Sequence, residues 1–299
     1  PWEELDYPYG AAGADDLCWC GSQKKYKKCH LQLDEKLEQL KHQGKKIPTH
    51  KMIKNEEQIK GIKKAAVVNS GLLDYIEENI KAGMATEEID IMAKEYTEKH
   101  NAVCADYHYC GYPKHICVSI NDVVCHGIPC KEEILQEGDI VNVDATTMVD
   151  GYYADASRMF IIGKTSKEAE KLVKDTKKAL ELGIQSIIPY QSCIGDIGKA
   201  IETFANANGY SVVREFCGHG VGLAIHEDPY VFHFEPNEST VTIVPGMVFT
   251  IEPMLNLGNR DVFVDADDEW TVYTEDGSLS AQWEHTLLVT ETGVEILSK

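Results

Sequence analysis

The 299-residue sequence predicts an α+β chain of two pseudo-symmetric α/β halves, preceded by a short arm. Three observations lead there. Helical and strand-like stretches follow one another twice, the second series repeats the first at a constant offset, and the N-terminal segment gathers cysteine and lysine where apolar residues are sparse. Hydrophobic residues make up 43% of the chain and aromatic residues 8%, enough to bury a core. No apolar run approaches the ~18 residues of a membrane span. The N-terminal Pro1-Trp2-Glu3-Glu4 has neither the basic start nor the apolar stretch of a leader peptide, so the expectation is a cytoplasmic protein with no membrane partner.

The formal charge of -20 argues against general nucleic-acid binding, because a polyanion would be repelled. The charge is unevenly spread: residues 1–21 carry -5, residues 22–64 carry +8 from 13 lysines and five acids, and residues 65–299 carry -23. The basic stretch reads as a separate module, with an arm and basic linker over 1–46 and the main domain over 47–299. Ten cysteines in a chain this long, with no leader, read as reduced thiols or metal ligands.

Three of those thiols fall in Cys18-Trp19-Cys20-Gly21 and Cys29-His30. Cys18, Cys20, Cys29 and His30 can close tetrahedrally on one structural Zn2+ and so order a segment with almost no core. The competing reading is a flexible basic leader with incidental thiols. The spacing resembles the small zinc motif at the C-terminus of the SecA translocase and at the front of some bacterial enzymes. Next, Leu33, Leu37 and Leu40 predict a helix from Leu31 to about Gly44, and Gly44-Lys45-Lys46-Ile47-Pro48 reads as a linker. The lysines suit an anionic partner such as ribosomal RNA, or simply a solvated surface.

In the main domain, helical periodicity covers roughly 55–80 and 86–100, and strand-like runs fill 103–163. Helices return over about 167–184 and 194–208, and strands dominate from 211 onward. At a shift of 108 residues Leu72 falls on Leu180, Ile76 on Ile184, Ile80 on Ile188 and Ile89 on Ile197. The same shift lays 138–144 (GDIVNVD) on 246–252 (GMVFTIE). Each half thus holds a Gly, an apolar strand and then a carboxylate, and the cleft between two such halves is the natural place for a site.

Four acids sit inside strand-like runs. Asp150-Gly151 signals a two-residue hairpin turn, so residues whose numbers sum to 301 should pair. Asp144 then faces Ser157 and Asp155 faces Thr146, which makes the two acids diagonal neighbours on one face. Two anions so close are costly unless one is protonated or a cation lies between them. Glu252 and Glu284 are the counterparts in the second half, and His219, between Gly218 and Gly220, adds a nitrogen donor. Taken singly, each acid reads as an exposed hairpin-end charge. Together the five are hard ligands for two divalent ions such as Mn2+, Fe2+, Co2+ or Zn2+. Paired ions of this kind activate water and polarise a carbonyl, which is the chemistry of hydrolysis.

In their local settings Asp144, Asp155, His219, Glu252 and Glu284, with the Val124–Pro129 and His226–Pro229 blocks, resemble the methionine aminopeptidases over about residues 52–297. The resemblance implies the pita-bread fold around a dinuclear metal cleft, and removal of the initiator methionine from nascent polypeptide N-termini whose second residue is small. It implies that Glu252 is also the proton acceptor and that His126 and His226 donate hydrogen bonds to the scissile peptide. Tyr109, Tyr112, Cys117, Ile225 and Trp270 would line the methionine pocket. Asp106 stands where a cysteine often lies, and Ile225 replaces a common aromatic residue. A monovalent cation held by carbonyls of Asn121, Val123 and Ser280 is also implied, as is a monomer. Met254 after Glu252-Pro253 separates the chain from proline-directed relatives of the same fold. The short interval from Glu252 to Glu284 indicates type I. Non-catalytic proteins of this fold that bind RNA or protein have lost several ligands, whereas all five positions stand here.

Overall fold

The structure is a computed structural model that describes residues 12–299; the tetrapeptide read above and the first part of the arm lie outside the described residues. The arm contributes α1 (Leu31–His42), and the main domain contributes α2 (Glu56–Asn79), α3 (Thr86–Lys99), α4 (Lys167–Gln185) and α5 (Ile194–Ala207). Each main-domain helix falls within one residue of its predicted span at either end. Helix α2 starts at a capping box between Asn55 and Gln58 and buries Ile62, Ala65, Ala66, Leu72, Leu73 and Ile76 along one stripe. Helix α4 starts where the Ser166 side chain accepts the Ala169 N–H.

The strands of the first half are β1 (Val103–Cys104), β2 (Cys117–Ile120), β3 (Val123–Cys125), β4 (Ile140–Val149) and β5 (Tyr152–Ile161). The second half begins with β6 (Ser211–Val212), β7 (Gly218–Gly220), β8 (Glu227–Val231), β9 (Val248–Ile251) and β10 (Met254–Asn256). It continues with β11 (Val262–Val264), β12 (Val272–Thr274), β13 (Ser280–Gln282), β14 (His285–Val289) and β15 (Val294–Ser298). One sheet runs β1-β4-β2 with β5 on β4, and another runs β15-β14-β9-β7-β8. The β4–β5 hairpin has the expected register, with Asp144 opposite Ser157 and Thr146 opposite Asp155. Asp150 and Gly151 both have positive φ, as the tight turn requires.

The repeat is physical. Helices α3 and α5 superpose in sequence at the 108-residue shift, and so do the isolated bridges Ala85–Ile134 and Cys193–Thr242. The matched glycines Gly138 and Gly246 have φ of +94° and +90°, a conformation that a side chain resists. Each half keeps its own core: Leu72, Ile76, Ile89, Val141 and Val143 belong to one, Leu180, Ile197, Ile201, Phe249 and Ile251 to the other. The halves are stitched where Ser157 and Glu284 exchange backbone hydrogen bonds of 3.3 and 3.1 Å.

Residues 44–48 depart from the linker reading. Lys46 forms a parallel bridge to Val241, its carbonyl accepts the Thr242 N–H at 2.8 Å, and Lys45 Nζ donates to the Tyr190 carbonyl. Leu37 and Leu40 of α1 join the core of the second half. The Lys46 backbone finds its partners at Val241 and Thr242, far along the chain, which local composition does not encode. Among the described residues no helix is long and apolar enough to cross a membrane.

Candidate metal centre and substrate cleft

The cleft between the halves has a volume of about 470 Å3. Its wall includes Asp144, Asp155, His219 and Glu252 of the expected ligands, and His126, His226, Tyr109, Tyr112, Cys117 and Trp270 of the expected catalytic and pocket residues. Two residues lie off this wall. Glu284 is buried beneath it, 1% exposed, with a donor within 4.8 Å of Asp155 and His219. Ile225 is buried and is not among the residues that line the cleft.

Strand alternation puts the acids inward, and the junction of the two sheets brings them together. His219 Nδ1 lies 2.9 Å from the Gly220 carbonyl, and donating there leaves Nε2 to face the acids, 3.3 Å from Glu252 and 3.6 Å from Asp155. Burial works against the His219 imidazolium, yet Asp155 and Glu252 outweigh it and lift the group to about 9. Burial first, then neighbouring carboxylates, push Asp144 and Glu284 well above the ordinary carboxylate range. Burial likewise raises Glu252 to about 7, although His219 opposes it. Asp155 Oδ1 and both carboxylate oxygens of Glu284 are buried without a hydrogen-bond partner. Acids crowded in this way, with unpartnered oxygens, fit divalent cations: added positive charge at their centre would relieve both costs.

Sequence reasoning did not single out a second layer of contacts. Thr250 Oγ1 donates to Glu252 Oε1 at 2.7 Å, and Gln282 Nε2 donates to Glu252 Oε2 at 3.2 Å. His233 accepts the Glu252 N–H on Nε2 at 3.1 Å; burial depresses this imidazole to about 3, so it is neutral. Period-two alternation from Glu252 and Glu284 points to Thr250 and Gln282, whereas nothing local points to His233.

The aromatic wall is interlocked. Tyr112 donates to the Ile116 and Gly127 carbonyls at 3.0 and 3.1 Å and meets Trp270 edge-on at 5.1 Å. His126 has φ of +57° and packs edge-on against Phe216. His226 Nδ1 lies 2.9 Å from the Tyr109 hydroxyl. Asp106 also lines the cleft, accepting from the Thr146 N–H at 3.0 Å; burial, then Asp155, raise its carboxyl to about 8.

At the arm, Cys18, Cys20, Cys29 and His30 offer donors that all lie within 4.8 Å of one another. His30 Nδ1 is 3.2 Å from both Cys18 Sγ and Cys29 Sγ, and Cys20 Sγ is 3.6 Å from Cys29 Sγ. A tetrahedral site with Zn–S bonds of about 2.3 Å has edges close to such separations. Trp19 stacks on His50 at 3.8 Å and donates to Asp34, which also accepts from Tyr26. Burial opposes the Asp34 carboxylate, but its contacts with His50, Tyr26 and Trp19 hold it below the ordinary range.

A duplicated α/β fold with four inward-facing acids and a histidine at its seam defines a class, and the chain belongs to metallopeptidase family M24, whose profile matches residues 60–291. Within that class, methionine aminopeptidases are similar to this chain at 40% identity or more. Methionine aminopeptidase A of Synechocystis is 47% identical over 244 residues, which is 82% of this chain and 96% of the relative. The methionine aminopeptidase of Chlamydia trachomatis is 42% identical over 291 residues, 95% of this chain and 98% of the relative, a match that extends through the cysteine-rich arm. The crystal structure of the Rickettsia prowazekii methionine aminopeptidase superposes with a TM-score of 0.80 at 40% identity, covering 83% of this chain and 99% of that one. Residues 16–32 match the SEC-C motif.

Proposed function

We propose that this chain is a metallo-aminopeptidase that removes the N-terminal methionine from nascent polypeptides, acting where the second residue is small. The observation that carries the reading is the buried cluster at the foot of an aromatic-walled cleft, where unpartnered oxygens of Asp155 and Glu284 lie with His219 within 4.8 Å of one another. Asp144, Asp155, His219, Glu252 and Glu284 would hold two divalent ions there, from Co2+, Mn2+, Fe2+ or Zn2+. When bound, those ions supply Lewis acidity and lower the pKa of water toward ~7. Glu252, steadied by Thr250 and Gln282, accepts the proton of the attacking water on its carboxylate. A Tyr109 hydroxyl that donates to His226 Nδ1 leaves the proton on Nε2, so His226 donates toward the developing oxyanion, a role the reading also gives to His126. Tyr112, Cys117 and Trp270 form a wall suited to a thioether, which makes favourable contacts with aromatic edges.

The test compares Met-Ala-Ser with Ala-Pro-Pro alongside metal analysis. Cleavage of the first alone, with about two metal equivalents bound in the cleft, is expected; preference for the second would assign a proline-directed peptidase. For the arm we infer one structural Zn2+ on Cys18, Cys20, Cys29 and His30, with residues 1–46 and 47–299 as the two parts of a cytoplasmic monomer. Retention of zinc by the full chain, with these thiols shielded from alkylation until a chelator is added, is the expected result. A monovalent cation at the Asn121, Val123 and Ser280 carbonyls belongs to the same reading, although the Asn121 carbonyl already accepts the Ser280 N–H. Ribosome contact through the arm is less supported by charge than composition suggests. Lys24 pairs with Glu56, and Lys25 and Lys27 both pair with Asp15.

A further inference from the structure

The buried charge pair between Lys54 and Glu227 has no part in the chemistry above. The Lys54 side chain is fully buried, and its Nζ lies 2.7 Å from Glu227 Oε2. Taking an ammonium and a carboxylate out of water is costly, and apolar residues of similar volume would hold two segments together at least as well. What the pair provides in addition is direction.

Glu227 Oε1 accepts the backbone N–H of Leu223 at 3.2 Å, so one carboxylate ties Leu223 to Glu227 and closes the short loop that carries His226. The loop is also held at its entry. The Gly222 carbonyl accepts the Tyr153 N–H at 2.9 Å, and Gly222, with φ of +137°, packs so closely that an added Cβ would lie 2.4 Å from Ile62 and 3.6 Å from Lys54. Lys54 is itself anchored: its N–H donates to the Gly246 carbonyl at 2.8 Å, and the next residue, Asn55, caps α2 and donates to the Cys20 carbonyl at 2.7 Å. A fixed cation therefore grips the one carboxylate that sets the loop, and the His226 ring comes to rest 4.3 Å from the His219 ring.

We propose that Lys54 is a positioning residue, which through Glu227 sets the His226 ring against the scissile peptide. The proposal rests on the role given above to His226. Outer contacts that aim a reacting group are typically worth about 10–100-fold in activity, because small displacements in the transition state are expensive.

The experiment uses the metal-loaded full chain with Met-Ala-Ser as substrate. Glu227→Gln removes the charge at the less buried partner, and the paired variant Lys54→Met with Glu227→Gln removes both charges without stranding one. Each should lower kcat by about 10–100-fold with bound metal unchanged and KM altered by no more than about threefold. Added to His226→Ala, the paired variant should cost nothing further, because both changes remove the same function. Lys54→Arg, which keeps the cation, should recover part of the rate. A wild-type kcat in both Glu227→Gln and the paired variant, a change confined to thermal stability, or a loss that multiplies in the His226→Ala background would overturn the proposal. A His226→Ala enzyme with wild-type kcat would remove the premise itself, an outcome recognisable without the Lys54 and Glu227 variants.

Discussion

In the first half of the domain, the strand that carries Asp144 runs unbroken to Val149 and returns through a two-residue turn. In the second half, the strand that leads to Glu252 ends at Ile251, resumes at Met254 beyond Pro253, and runs into an excursion that does not return until Ser280. The registers differ accordingly. Asp144 and Asp155 are diagonal neighbours, whereas the pairings on either side put Glu252 directly opposite Glu284. The excursion carries Trp270, and its strand β12 pairs with β3, which leads straight to His126. The duplicated skeleton thus supplies the matched acids Asp144 and Glu252, while the unsymmetrical insertion adds Trp270 to a wall that Tyr109, Tyr112 and Cys117 also line, and braces a histidine of the other half. The matched acids belong to what the halves share, and Trp270 to what they do not.

The sharpest way to break that division is to change one shared acid and one unshared wall residue. Asp144→Asn or His219→Ala should lower hydrolysis of Met-Ala by more than about a hundredfold, since even outer partners of metal ligands are felt on that scale. Metal analysis should find one equivalent fewer than in the parent. Trp270→Ala should keep both metals and act mainly through KM for methionine substrates, because it removes side-chain contacts made before the transition state as well as in it. Loss of a metal in Trp270→Ala, or full activity in either ligand variant, would dissolve the distinction.

The matched glycines sharpen the comparison on a smaller scale. Both need positive φ, so Gly138→Ala and Gly246→Ala should each cost about 1 kcal/mol or more. The added Cβ at Gly246 would meet Ile53 at 2.9 Å and the Lys54 carbonyl at 3.3 Å, whereas at Gly138 it meets only the Lys164 carbonyl at 3.4 Å. Gly246→Ala should therefore lose more stability in urea unfolding. Equal losses would mean that backbone conformation alone governs both sites.

What could be read in advance follows from how each feature is encoded. Helices α2 to α5 and the β4–β5 register follow local periodicity plus one turn dipeptide, so they were legible to within a residue. The four acids were legible because a charge in an apolar strand contradicts its surroundings. Thr250 and Gln282 share the face of the acids by period-two alternation, but nothing in their own strands tells that packing buries them. His233 reaches Glu252 from the bend just beyond β8, and Lys46 finds Val241 through backbone groups that every residue possesses. Ile225 lies in a loop, where no alternation says which way a side chain points.

The smallest test concerns the helix starts, where the halves are most alike. In α3 the Glu88 carboxylate accepts the Ala85 N–H at 2.7 Å, and in α5 the Asp196 carboxylate accepts the Cys193 N–H at 2.8 Å. Neither N-cap side chain accepts a hydrogen bond, so in each helix this one contact satisfies a backbone donor left open at the N-terminus. It also places a negative charge at the positive end of the helix dipole. Glu88→Ala and Asp196→Ala should each cost about 0.5–1.5 kcal/mol in urea unfolding and leave kcat unchanged. The shorter Asp196 side chain reaches the same donor with less rotamer freedom to lose, which favours a slightly larger loss there. If one variant lost activity while the other did not, the two helix starts would differ in function despite matching in geometry, and the symmetry would not extend beyond the backbone.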